Sequence, residues 1–318
     1  MFQTAADIFV RVILPVLAIV LAGAAVQRIR AIDVRTLVSF NIYLFIPAFL
    51  YTRVAASDLS WLQIGGVGLV VLLPMAVLGL PVVLALRARG SRGNAIAAVA
   101  VGGLFFNAGN FGIPVAELAF GPAGGSVQAL VVMFVNTTIF FFGYLIIALA
   151  QGKGARACLG YFRLPMIYAI VAALLVRDTK LSLPAWLDQA IATVAGGMVP
   201  VALATLGAQL ASRARWPRWR LVVPVMSMKL LLLPAVTAAL VWALDRTLWP
   251  GLWPWPGAQL VLAAAGPTAV NTLLLTVELE GDADTAADCV FWTTLACAVT
   301  VTVVLALILS LGGGPPAG

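Results

Sequence analysis

Histidine is absent from all 318 residues. That removes the commonest general base and a frequent metal ligand. Charge is scarce: Asp, Glu, Lys and Arg make up 10% of the chain, where a soluble domain carries about 25%. No stretch is polar and long enough to form a domain outside a membrane. Cysteine is rare, and Cys158, Cys289 and Cys297 stand far from zinc-binding spacing. The last two fall in an apolar segment and read as small packing residues. With no Ser/Asp/His or metal-ligating constellation, an enzyme is the weakest reading, and no cofactor or metal is expected. A carrier of bare metal cations would need clustered Asp or Glu, which is also missing.

Apolar residues fill the space left by these absences, at 63% of the chain, with a mean hydropathy of +1.07. This is the composition of an all-α polytopic membrane protein whose partner is lipid, and at roughly 20 residues per span about ten spans fit. The net charge of +7 would suggest a nucleic-acid partner in a soluble chain. Here the basic residues sit in loops, and membrane topology accounts for them without nucleic acid.

The ten segments run over 8–26, 34–54, 62–87, 93–119, 125–150, 160–176, 190–211, 219–244, 257–279 and 285–311. A tail, Gly312–Gly318, is expected to be unstructured. Segment one reads as a retained helix because Arg28, Arg30 and Arg35 follow it. Loops 1–2, 3–4, 5–6 and 7–8 hold thirteen Lys and Arg. The alternate loops hold four: Arg53, Arg177, Lys180 and Arg246. The positive-inside rule makes the first set cytoplasmic and puts both termini outside. Loop 9–10 is acidic, with Glu278, Glu280, Asp282 and Asp284, but acids weigh little in that rule.

Prolines reveal an internal repeat. Pro15 and Pro165 are 150 apart, as are Pro74 and Pro224; Pro47 and Pro200 are 153 apart, as are Pro114 and Pro267. Proline is costly within a helix, so four matches in order argue for two copies, residues 1–150 and 151–318. Five segments per copy is an odd number, so the second copy enters the membrane from the opposite side.

Segment four contains Phe106–Leu118, F-N-A-G-N-F-G-I-P-V-A-E-L. Gly109, Gly112 and Pro114 work against a continuous helix there. Segment nine has its counterpart in Gly266-Pro267-Thr268-Ala269-Val270-Asn271. A helix break in lipid is tolerated only where protein or a water-lined cavity receives it. Paired breaks at midplane depth point to a secondary transporter, because half-helix ends offer dipoles and free backbone groups to a solute. The expected site is the crossing of the two breaks, with Asn107, Asn110, Asn136, Asn271 and Thr268 around it. Amides and backbone groups suit a carboxylate. Two ionisable residues are candidates for coupling. Lys229 lies in segment eight with no acid beside it, and an intramembrane cation is functional by default. Glu117 lies about two helical turns beyond Asn110, and either pairs or reaches the outer interface.

The run Asn107–Pro114 resembles the Asn-x-Gly-Asn-x-Gly-x-Pro motif of the auxin efflux carrier family. Pro200–Leu210 is similar to that family's seventh helix, and Gly266–Asn271 with Thr293–Leu295 to its C-terminal part. The resemblance implies ten helices in two inverted five-helix repeats, with helices 4 and 9 crossing at midplane. Helices 1, 2, 6 and 7 would form a scaffold, and helices 3–5 and 8–10 a moving transport part. It implies a small organic anion substrate, such as auxin, malonate or malate, and a bacterial inner-membrane location. Some members form homodimers. The chain lacks the long cytoplasmic loop of many plant members. It also lacks a crossover carboxylate like that of the related bile acid sodium symporters. The resulting expectation is a permease working by alternating access. Its alternatives are an ion-coupled symporter or antiporter for another small solute, and an anion channel.

Overall fold

Proline sets the local geometry of several helices. The computed structural model describes residues 5–57, 59–88, 93–143, 146–147, 165–213, 217–278 and 281–315. Four π-helical turns each end two residues before a proline: Phe9–Ile13 before Pro15, Asn41–Phe45 before Pro47, Ala108–Gly112 before Pro114, and Met228–Leu232 before Pro234. A proline ring clashes with the carbonyl four residues back and leaves it without a donor. Widening the preceding turn by one residue relieves both problems without ending the helix.

Among the described residues, seven helices are long and apolar enough to cross a membrane. They are α1 (Phe9–Arg30), α2 (Thr36–Ala55), α3 (Trp61–Ala88), α5 (Ala108–Thr138), α7 (Ala185–Ala211), α8 (Trp219–Arg246) and α11 (Ala283–Ser310). Shorter pieces are α4 (Gly93–Leu104), α6 (Pro165–Thr179), α9 (Gly257–Ala264) and α10 (Val270–Glu278). The count differs from the expected ten for a physical reason. Segments four and nine are interrupted by extended residues, so their halves are separate short helices. Segment four's second half then runs into segment five as α5. Of segment six, Pro165–Thr179 is described. The basic loop 5–6, with Cys158, lies outside the described residues, as does most of loop 3–4.

α5 is not one straight rod. Gly121 adopts φ 63° and ψ −153°, a backbone that favours glycine, and Pro122 follows it. A Cβ on Gly124 would collide with the Ala116 carbonyl, and one on Gly125 with the Glu117 carboxylate. Residues eight apart in a continuous helix lie about 12 Å from each other. The arms 108–120 and 122–138 therefore fold back on one another.

α1 packs along α7, and α2 along α6. In the first pair the backbones touch: a Cβ on Gly23 would strike the Ala204 carbonyl, and one on Gly207 the Val20 carbonyl. Small residues at such contacts let membrane helices approach closely where no hydrophobic force draws them together. Cys289 and Cys297 are buried and unbridged, in keeping with packing. The start of the tail is ordered, contrary to expectation. Gly312 takes φ 75°, its N–H donates to Leu309, and the Gly313 N–H donates to Ile308 at 2.8 Å. This is a Schellman cap, which satisfies the last carbonyls of α11.

Candidate functional site

The two interrupted segments meet. Phe106, between α4 and α5, forms an antiparallel β-bridge with Thr268, between α9 and α10. The Asn107 N–H donates to the Pro267 carbonyl at 2.7 Å, and the Ala269 N–H donates to the Phe105 carbonyl at 2.9 Å. Each extended stretch thus satisfies peptide groups that the other has freed from helix, which is what a break inside a membrane protein requires. No strand other than this single bridge occurs among the described residues.

The bridge lies some residues away from the expected break in segment four. The sequence suggests Gly109–Pro114, yet the residues outside helix are Phe105–Asn107. Pro114 sits in the first turn of helix after a π turn and is accommodated there. Between α9 and α10, Pro267 itself stands in the non-helical stretch. Gly112 has a different task, since a Cβ there would collide with the Gln128 side chain. Gln128 Nε2 donates to the Ala108 carbonyl at 2.7 Å, and Gln259 Nε2 donates to Gln128 Oε1 at 2.8 Å. Both glutamines are buried. They tie α9 to the start of α5 beside the bridge.

A cavity of about 30 Å³ borders the bridge. Asn107, Gly109, Asn110, Asn136 and Asn271 line it, so four of the five polar residues singled out from the sequence come together. Asn41, Gln209 and Met166 line it as well. Asn271 Nδ2 donates to Asn136 Oδ1 at 3.2 Å, and Asn136 Nδ2 contacts Met166 Sδ at 3.4 Å. Asn107 Nδ2 is buried without a hydrogen-bond partner among the described residues. Thr268 does not line the cavity. Its hydroxyl donates to the Gly102 carbonyl at 2.7 Å, and its N–H donates to Thr293 Oγ1 at 3.0 Å. It anchors the bridge to α4 and α11. Gly266 and Pro267 are buried behind the cavity wall.

Lys229 is fully buried in the π turn of α8, and its Nζ has no hydrogen-bond partner among the described residues. It lies 4.5 Å from the centroid of the Phe106 ring, a cation–π contact. Phe106 lines the cavity, so one aromatic ring links the lysine to the site. Glu117 does pair: Arg53 Nη2 donates to its Oε2 at 2.9 Å. That bridge joins the end of α2 to the first arm of α5, away from the cavity lining. Its other oxygen is buried without a partner among the described residues.

Sequence reading missed Asn41, Gln209, Gln128 and Gln259. Each is a polar residue within an apolar segment, and for Asn41 the signal was present in its place six residues before Pro47.

No family model matches the chain. It is similar to an uncharacterized transporter of Methanothermobacter thermautotrophicus. The two are 26% identical over 301 residues, which span 91% of this chain and 95% of the relative. A match of that extent runs through both halves of the chain.

Proposed function

We propose that this integral membrane protein is a secondary transporter of a small organic anion, working by alternating access. The observation that carries the reading is the β-bridge at Phe106 and Thr268, with an amide-lined cavity beside it. Interrupted helices that exchange backbone hydrogen bonds leave half-helix ends and side-chain amides facing one small space. Neutral amides hold a carboxylate without the tight grip of a fixed cation, which suits a site that must release its load. The relative named as a transporter supports the class, and the motif at Asn107–Pro114 supports a place beside the auxin efflux carriers.

The packing supports two inverted repeats, residues 1–150 and 151–318. If segments six and seven repeat one and two, the contact of one with seven is the same contact as two with six. Both are present, as α1 with α7 and α2 with α6. Cavity size supports motion. About 30 Å³ accommodates a water molecule rather than an acid, so this conformation is contracted and carriage requires the α1, α2, α6 and α7 wall to move against the bridge. Lys229, one ring away from the cavity, is placed to sense an anion and is our candidate for coupling.

The test is counterflow of labelled lactate, malate and malonate in proteoliposomes. Trans-stimulation by at least one of them, lost in Asn107→Ala, is expected. Flux without trans-stimulation would make the protein a channel.

A further inference from the structure

We infer that Asn41 reads a hydrogen-bond donor on the transported acid, so that the substrate is a short carboxylate bearing a hydroxyl group. The inference rests on the organic-anion reading above and deepens it.

Asn41 lies in the π turn of α2 and is 1% exposed. Its amide has a fixed orientation, because Thr205 settles which end is which. The Thr205 hydroxyl donates its only proton to the Val201 carbonyl at 2.7 Å. It can therefore only accept from Asn41, and Asn41 Nδ2 donates to it at 2.9 Å. Thr205 does not line the cavity, whereas Asn41 does. The nitrogen end thus turns toward α7, and the carbonyl end is the one left unpaired in the cavity wall. Asn41 Oδ1 is buried and has no hydrogen-bond partner among the described residues. Neither has Gln209 Oε1, on the same wall. Beside the bridge, Asn107 Nδ2 is a buried donor with no acceptor among the described residues.

The walls of the cavity therefore hold an unpaired donor on the bridge side and unpaired acceptors on α2 and α7, which opening of the contracted site would present to a solute. A solute that satisfies both walls presents an acceptor to Asn107 and a donor to Asn41. A simple carboxylate has no donor at neutral pH. A hydroxy acid has one of each within a few ångströms, and a hydroxyl is the smallest neutral donor it can carry. Sites with buried groups set for a substrate hydroxyl discriminate strongly against the analogue that lacks it, because their own polar atoms are then left unpaired. The arrangement also assigns each wall a role: the bridge holds the carboxylate, and the scaffold side reads the rest.

Two ligand pairs differ by one hydroxyl each: lactate against propionate, and malate against succinate. Their dissociation constants are measured by calorimetry on the purified full chain, for wild type, Asn41→Leu, Thr205→Val and Asn107→Ala. The hydroxy acid of at least one pair is expected to bind wild type tenfold or more tightly than its deoxy partner. That ratio falls toward one in Asn41→Leu. It also falls in Thr205→Val, which keeps the side-chain volume but frees the amide to turn. Asn107→Ala weakens both members of the pair. Equal binding of both members to wild type, still weakened in Asn107→Ala, overturns the role of Asn41 while the carboxylate site stands. Binding of no acid, or binding indifferent to Asn107, overturns the anion reading and this inference with it. Should Asn41→Leu fail to fold, the ratio in Thr205→Val decides the role of Asn41, and an unchanged ratio there overturns it.

Discussion

Asn107 and Asn271 come from segments more than 160 positions apart and line one cavity, yet they differ in how free they are. Asn271 already donates to Asn136, whereas the Asn107 amide nitrogen has no partner among the described residues. A hydrogen bond to a charged group contributes about 1.5–3 kcal/mol, equivalent to tenfold or more in affinity. Asn107→Ala should therefore raise the dissociation constant by at least about tenfold. Asn271→Ala should do less, since binding first has to exchange its bond to Asn136. Titration of the two purified variants side by side checks the order. Lys229 gives a second prediction at this scale. Among the described residues its nitrogen contacts the Phe106 ring and has no hydrogen-bond partner, so its charge should matter when an anion is present. Lys229→Met should slow transport and flatten its pH dependence, and Lys229→Arg should retain some of both. Wild-type rates across pH in the Met variant would make the lysine structural.

Elements here are shaped by where proline and glycine fall. The four π turns show helices that absorb a proline without stopping, and Pro114 is one of these rather than the cause of the break. Pro267 stands in the extended stretch itself and its carbonyl accepts from Asn107. Pro267→Ala should let α9 and α10 draw toward a continuous helix and compete with the bridge. Counterflow should slow more in that variant than in Pro114→Ala, with affinity the less affected quantity. Gly207 tests the other kind of element contact. A side chain there would collide with the Val20 carbonyl across the α1–α7 seam. Gly207→Val should lower the midpoint of thermal unfolding in detergent by several degrees, in line with overpacking costs of about 1–3 kcal/mol. Gly65, which has open space around it, should tolerate alanine.

For the whole molecule, the loops now carry evidence that charge counting lacked. Arg218 of loop 7–8 bridges Asp282 at 2.9 Å and Asp284 at 3.5 Å in loop 9–10. The acidic loop therefore sits on the same side as loop 7–8, as the proposed topology needs. Reporters fused to each terminus should both behave as external; opposite sides would rule out a five-plus-five repeat. The same clamp is sensitive to acid. Burial alone would raise the Asp282 carboxyl, but hydrogen bonds from the Thr285 backbone and hydroxyl, together with Arg218, hold it below its ordinary value. A carboxyl lowered on folding stabilises at pH above its unfolded value, and that contribution is lost as pH falls through the folded one. Thermal midpoints of wild type should thus fall in strong acid by a small amount that Asp282→Asn lacks. The effect is small because the group is partly solvated.

Composition and order alone determined the membrane class, the approximate apolar segments, the two stretches that interrupt helices, and three of the amides on the bridge side. Those features are local: hydropathy, proline chemistry and glycine freedom act within a few residues of where they are written. Asn136, in the continuous second arm of α5, was also picked out from its depth. Only the tertiary structure decided that Phe106 pairs with Thr268, that the Thr268 hydroxyl is spent on Gly102, and that Glu117 belongs to Arg53. It alone brought Asn41 and Gln209 to the cavity and paired the Asn41 amide nitrogen with Thr205. A single polar residue in an apolar segment does not announce its partner, because the partner lies on another helix: Asn41 and Thr205 are 164 positions apart. Which amide faces a substrate is settled by helix packing, and packing is a property of the folded chain.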